Sequence, residues 1–248
     1  MPESTHIPES RPQPCFVTTR WSVVLAATRG TSGESVAALE AICRDYWYPL
    51  YAYVRRCGHS PHDAQDLTQD FFCRLLEKHW LDSADRRKGK LRMFLIAALK
   101  NFMRNEWRRA SAERRGGNLA QVTFDTQFAE SRYAADHSAR HADETFDKEW
   151  ALTLLDLTVS RLREEFAAAN KPEDFEVLKG CLMAERGALD YCAIASRLGL
   201  NEGAARVAVH RLRKRFREVY REEISQTLAD RSDLEGELRH LAAALAGK

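Results

Sequence analysis

Apolar residues recur along this chain at steps of three and four and never alternate at a strand period, so the pattern predicts helices throughout. A short helix is expected at Thr19–Ala27. An aromatic-rich one follows at Ser35–Val54, where Ala38, Ile42, Tyr46, Leu50 and Val54 share a face and Pro49 is expected to interrupt it. At Ser60 the start signal is complete: Ser60 as N-cap, Pro61 at the first helical position and Asp63 at the third, a capping box with Asp in place of Glu. The helix from Pro61 to about Trp80 then buries Ala64, Leu67, Phe71 and Leu75 and turns Asp63, Asp66, Gln69, Asp70 and Glu77 the other way.

A basic connector, Leu81–Lys90, leads to a helix at Leu91–Arg109 with Leu91, Phe94, Leu95, Ala98 and Phe102 inward. The polar segment after Gly117, to about His141, lacks periodicity and reads as a linker. A long helix from Asp143, with Phe146, Trp150, Leu154, Leu157, Leu162 and Phe166 on one side, ends before Pro172, and Phe175, Leu178 and Leu182 mark another short one. Near the C-terminus a capping box at Ser232–Glu235 opens a helix carrying Leu234, Leu238, Leu241 and Leu245. The fold class is therefore all-α. It comprises a disordered tail (1–15), a helical domain (16–115), a linker (116–142) and a second helical domain (143–248).

The stretch Asp190–Arg217 adds chemistry to this pattern. Tyr191, Ile194, Ala195 and Leu198 make a short helix stopped by Gly199, and Asn201 caps a second helix with Ala205, Ala208, Val209, Leu212, Phe216 and Val219 on its apolar stripe. Arg206, His210, Arg213, Lys214 and Arg217 line another face. From Arg206 to Arg217 there are six Lys/Arg and no acid. A short Gly-turned helix ahead of a basic one is the geometry that puts a second helix into a major groove.

The net charge of +2 is uninformative, but its distribution is not. Arg86–Arg115 holds eleven Lys/Arg against two Glu, whereas Leu119–Trp150 holds seven acids against three Lys/Arg. Within the basic block Lys100, Arg104 and Arg108 stand at steps of four, interleaved with Asn101, Asn105 and Trp107, a set that suits melted nucleic acid: cations neutralise phosphate while rings stack on bases. Phe94 and Phe102 read as core.

The six cysteines form no C-x-x-C pair and no secretory signal precedes them, so neither a disulfide framework nor a zinc ribbon is expected. Cys57, His59 and His62 match no usual metal spacing, and no cofactor motif or nucleophile with a base is present, which sets aside a catalytic domain acting on nucleic acid. The longest wholly apolar run, Met93–Leu99, is far short of a membrane span, and the expected compartment is the cytoplasm.

The order of parts resembles the bacterial sigma factors of the extracytoplasmic-function group, initiation subunits of RNA polymerase with only sigma regions two and four. DAQDLTQDFFCRLLEK (Asp63–Lys78) is similar to the family's polymerase-clamp-binding segment and KGKLRMFLIAALKNFMRNEWRR (Lys88–Arg109) to its promoter-melting segment. TTRWSVVLAA, YWYPLYAYVRRCGHSP and ALTLLDLTVSRLREEF resemble a planctomycete-like subgroup.

The resemblance implies a protein that is not an enzyme by itself, with core RNA polymerase (β′ clamp and β flap) and promoter DNA as partners and with an anti-sigma factor or a Ser/Thr kinase as a candidate regulator. It places Asp63, Asp66, Gln69, Asp70 and Phe71 at or behind the clamp-docking surface. Trp80, Arg86, Arg87, Lys88 and Lys90 fall in a base-capturing loop, and Lys100, Asn101, Arg104 and Arg108 lie along the melted minus-ten strand. Asn201, Arg206, Val207, His210, Arg211 and Lys214 face the minus-thirty-five duplex. Gln65, Asn105 and Ala208 depart from the family's usual Glu, Asp and Arg. The missing acid beside Asp66 makes Thr68 a candidate phosphorylation site. The competing reading is a stand-alone helix-turn-helix regulator that binds duplex DNA as a dimer.

Overall fold

The computed structural model describes residues 32–77, 80, 90–112, 126–136, 141–185, 187–228 and 230–247, and among them every regular element is helical. The predicted helix at 19–27 and the N-terminal tail lie outside these residues. In chain order the helices are α1 (Ser32–Arg56), α2 (Pro61–Glu77), α3 (Leu91–Ala112), α4 (Thr126–Ala135), α5 (Ala142–Ala168), α6 (Pro172–Leu178), α7 (Tyr191–Leu198), α8 (Glu202–Gln226) and α9 (Leu234–Ala246).

Contrary to the expected interruption, α1 continues through Pro49. An interior proline costs about 3 kcal/mol, but Tyr46, Leu50, Tyr51 and Val54 are buried around it, and each such side chain contributes about 1.5–3 kcal/mol. At the start of α2 the Asp63 N–H donates to Ser60 Oγ at 3.1 Å, and the Ser60 hydroxyl donates to Asp63 Oδ2 at 2.7 Å.

Two apolar cores result, and α5 belongs to both. Its first half sends Phe146, Trp150, Ala151 and Leu154 into a core shared with α1, α2 and α3, where the Trp150 ring stacks on Tyr46 with centroids 4.2 Å apart. Its second half sends Leu162 and Phe166 into a core with α6, α7 and the front of α8. Helix α8 repeats the pattern, with Ala205, Val209, Leu212 and Val219 in the second core and Ile224, followed by Leu228, in the first. Salt bridges join the two long helices: Arg215–Glu165 at 2.7 Å, Arg161–Glu222 at 2.5 Å and Arg161–Glu223 at 3.2 Å. The boundary expected near residue 143 therefore does not separate the cores, because each long helix is apolar enough at both ends to enter both.

Part of the expected linker is α4, which packs on α1. Ala129 is buried, Glu130 accepts from Arg55 Nη2 at 2.7 Å and from the Tyr51 hydroxyl at 2.5 Å, and Arg132 pairs with Glu149 at 2.8 Å. Ion pairs rather than an apolar stripe hold this helix, so hydrophobic periodicity cannot detect it. The capping box expected at Ser232–Glu235 does not form. The Ser232 N–H donates to Asp230 Oδ1 at 2.9 Å, Glu235 pairs with Arg221, and a 3-10 turn at Arg231–Asp233 precedes α9.

Trp150→Ala is expected to destabilise the chain by about 3–5 kcal/mol. Because α5 serves both cores, urea unfolding followed by tryptophan fluorescence and by far-UV circular dichroism should give one coincident transition. The Arg55 and Tyr51 hydrogen bonds hold Glu130 below its ordinary carboxyl value of 4.5. Its contribution is complete above that value and is lost as pH falls through the lower, folded one. Amide protection factors in 129–136, referred to the intrinsic exchange rate at each pH, should fall on acidification across that window, while a Glu130→Gln chain should be poorly protected already at neutral pH.

Candidate nucleic-acid interface

Helix α3 buries Leu91, Leu95, Leu99 and Phe102 and leaves Ala97, Asn101, Arg104, Asn105 and Arg108 exposed along its other side. Trp80, half-buried, stands beside this ridge against Phe71 (centroids 6.3 Å apart), which in turn packs on Phe102 at 5.9 Å. Between them lies an open groove of about 340 Å³ with an apolar floor of Phe94, Ala98 and Phe102 and an amide edge of Asn101 and Asn105. This combination accepts a planar ring that also carries hydrogen-bonding edges. Arg74, which the sequence did not single out, fixes the groove's back wall: it pairs with Glu106 and lies 5.0 Å over the Phe102 ring. Trp107 is 73% exposed at the far end of α3.

Of the cations expected here, Arg104 and Arg108 are exposed, and Arg104 Nη1 donates to Asn101 Oδ1 at 3.3 Å. Two others are engaged within the chain. Lys100 Nζ sits 2.6 Å from Asp143 of α5, and Lys90 Nζ sits 2.5 Å from Glu237 of α9, so Lys90 is turned toward α9 rather than toward the groove. Arg86, Arg87 and Lys88 lie outside the described residues. Arg92 was not foreseen. It is 3% exposed and gives Glu237 two hydrogen bonds, of 2.7 and 3.3 Å. The available signal was a cation placed three and four residues ahead of the core positions Leu95 and Ile96, which demands a buried anion.

On α2, Asp63 and Asp66 are exposed, with Asp66 3.1 Å from His62. Asp70 is half-buried, and burial pushes its carboxyl above the ordinary value against the pull of Arg74. Gln69 does not project as expected. It is buried, because α2 packs on α1 along one side and on α3 along the next, which widens the inward stripe beyond one residue per turn. Phe71 is fully buried and supports the acidic face from behind. Thr68 is also fully buried, and its hydroxyl donates to the Ala64 carbonyl at 2.7 Å. A kinase cannot reach it in the folded chain, and the phosphorylation expected there is withdrawn.

Helices α7 and α8 are joined by a three-residue turn. Asp190 caps α7 through the Ala193 N–H at 3.0 Å, Gly199 ends it at φ 65°, and the Leu200 N–H donates to the Ala195 carbonyl at 2.9 Å. Asn201 caps α8 by accepting from the Ala204 N–H at 2.8 Å, so its side-chain oxygen is committed to the helix. Arg206, Val207, His210, Arg211 and Lys214 are exposed along the front of α8. Arg206 lies 4.2 Å over the Tyr191 ring and pairs with Glu202 at 2.5 Å, which fixes its guanidinium at the mouth of the turn.

Arg213 leaves the expected basic face. Its guanidinium donates to the carbonyls of Cys181 (2.9 and 2.7 Å) and Ala184 (2.6 Å), closing the chain after α6 onto α8. Ala208, where relatives were expected to carry Arg, packs against the second core.

Residues 44–113 match the family model Sigma-70 region 2. The matched stretch starts within α1 and takes in the acidic face of α2, Trp80 and the groove side of α3, while α4 to α9 lie beyond it. Over that stretch, less than half of the chain, the sequence is similar to the sigma-70 family of RNA polymerase sigma factors. No curated protein and no solved structure matches the chain.

Arg213→Ala strands the carbonyls it serves and is expected to cost about 1–3 kcal/mol of stability in urea unfolding, whereas exposed Lys214→Ala should stay within about 0.5 kcal/mol.

Proposed function

We propose that the chain is a sigma factor of the extracytoplasmic-function group, planctomycete-like, which binds core RNA polymerase in the cytoplasm and directs it to promoters by reading two DNA sites. The observation that carries this reading is the coincidence of the Sigma-70 region 2 match with the stretch that holds both the acidic face of α2 and the Trp80 groove.

In this reading Asp63, Asp66 and Asp70 dock on the β′ clamp with Phe71 stiffening the helix behind them. Charge at such a surface sets the encounter rate and the register of docking more than the affinity. The groove takes a base unstacked from the minus-ten element. Unstacking costs a few kcal/mol, which stacking on an aromatic wall at about 1–3 kcal/mol per base offsets only together with phosphate contacts from Lys100, Arg104 and Arg108. Asn101 and Asn105 supply hydrogen bonds to the base edges.

Helices α7 and α8 act as a helix-turn-helix on the minus-thirty-five duplex. There Arg206 and Arg211 can pair bidentately with guanine and Val207 can touch a thymine methyl, while Lys214 meets phosphate. Asn201 shapes the reading end of α8 as its cap. The chemistry of chain synthesis stays with the polymerase. This chain supplies position and strand separation.

The test is transcription by core polymerase on a promoter library with and without the protein: discrete start sites that depend on it are expected. Specific duplex binding with no effect on polymerase would favour the stand-alone regulator. Within an active system, Lys100→Ala with Arg104→Ala should slow open-complex formation while sparing duplex docking. Arg206→Ala should weaken docking by about 1–3 kcal/mol and spare melting. Permanganate footprinting and duplex-binding titrations separate the two steps, and a common defect for both variants would contradict the division into two readers.

A further inference from the structure

Glu202 is the one acid between Asn201 and Arg217. It stands at the entry of α8, ahead of the six Lys/Arg of the basic stretch, where a carboxylate repels phosphate and opposes DNA binding. Both of its oxygens are nevertheless engaged. Oε1 accepts from Arg206 Nε at 3.2 Å and from Arg206 Nη2 at 2.5 Å, and Oε2 accepts from the Cys192 thiol, with Sγ 3.6 Å away. Arg206 in turn lies 4.2 Å over the Tyr191 ring. The hydrogen bond from Arg206 holds the Glu202 carboxyl below its ordinary value of 4.5, so the acid stays ionised at neutral pH.

These contacts leave Arg206 few ways to point. A guanidinium presents two usable edges, a side edge of Nε and Nη2 and an outer fork of Nη1 and Nη2. Glu202 takes the side edge, and stacking on Tyr191 fixes the plane. What Arg206 offers to a partner is the outer fork, the shape that meets guanine O6 and N7. An exposed pair of this kind adds little to stability, so its consequence lies in where it leaves Arg206 and not in holding α8 together. An unrestrained arginine at a duplex surface is drawn to phosphate, which carries no sequence information. Held at the groove, it binds all DNA less and one base better.

We infer that Glu202 is a specificity-determining residue of the helix-turn-helix: with Tyr191 it keeps Arg206 off the phosphate backbone and aimed at a base. This role rests on the reading of α7 and α8 as the minus-thirty-five reader, and it adds two side chains that position the reader without touching a base themselves. Its signature is a pair of opposed changes, discrimination falling while affinity for unselected DNA rises. Damage to the fold has a different signature, because it lowers affinity for every duplex alike and leaves their ratio unchanged.

The full-length chain with core polymerase is titrated against duplexes randomised over the minus-thirty-five region, with core polymerase alone as the blank. Wild type is expected to prefer guanine at the position that Arg206→Ala relaxes. Glu202→Ala should cut the preference for guanine over adenine at that same position by about tenfold and raise affinity for unselected duplex by about threefold. It should also steepen the slope of log affinity against log salt by about 0.9, the mark of one further cation on phosphate. Tyr191→Leu should lower discrimination at the same position, and Tyr191→Phe, which keeps the ring face, should retain the wild-type profile. Glu173→Ala, which removes an exposed acid on α6, should leave preference and slope unchanged.

A Glu202→Ala chain with wild-type preference at that position overturns the inference, as does an Arg206→Ala chain that relaxes no position. Lost preference for cytosine at a neighbouring position, with the guanine preference intact, overturns it too and makes Glu202 a base reader that accepts from cytosine N4. If Glu202→Ala does not fold, the Tyr191 pair decides: relaxation by Leu but not by Phe upholds the role, and two wild-type profiles overturn it. A wild-type chain that selects no duplex sequence would instead overturn the helix-turn-helix reading, and the role of Glu202 with it.

Discussion

The Trp150–Tyr46 stack and the residues one turn on either side of it make α5 a member of the first core, and the rest of the architecture depends on that membership. A helix of 27 residues is about 40 Å long, so a chain that buries its front half beside α1 must carry its back half to a second site. Leu162 and Phe166 provide that site, and α6, α7 and the front of α8 gather around them. Helix α8 then returns to the first core through Ile224, and α9 closes beside it. Remove the apolar front of α5 and only α8 still enters both cores.

Much of this was legible in the sequence wherever one physical signal was strong. Helical periodicity located α2, α3, α5 and α8, because each carries an apolar stripe several turns long. Cap chemistry located the turn between α7 and α8, because Gly199 and Asn201 each have one dominant structural use. What failed shares a cause. Helix α4 is held by Glu130 and Arg132, and the closure of α9 by Glu237, and such pairings join residues far apart in sequence. Pairwise charge leaves no periodic trace. Pro49 misled for the opposite reason: a local rule was right in sign but smaller than the burial around it.

The candidate site shows the same division. Exposed and buried sides of α2 and α3 followed from spacing, and Asp63, Asp66, Asn101, Arg104 and Arg108 stand where the pattern put them. Gln69, Thr68 and Arg213 do not. The first two face inward because α2 has two neighbours rather than one, and the third because the turn after α6 needed a donor for its carbonyls. None of these needs is visible from a single helix viewed in isolation. The groove depends equally on Trp80, whose ring stands against Phe71 and lines the groove beside α3.

Helix α8 carries a recognition surface at one end and a core anchor at the other with no break between Glu202 and Gln226. Each residue of an α-helix turns about 100° and advances about 1.5 Å, so the direction in which Arg206, His210 and Arg211 point is set by the residue count back to Ile224. One residue inserted between Arg217 and Ile224 would swing that surface by more than a quarter turn and leave every contact it makes chemically unchanged. The length of α8 therefore acts as an angular setting that aims the basic face relative to the core gripping the other end of the helix.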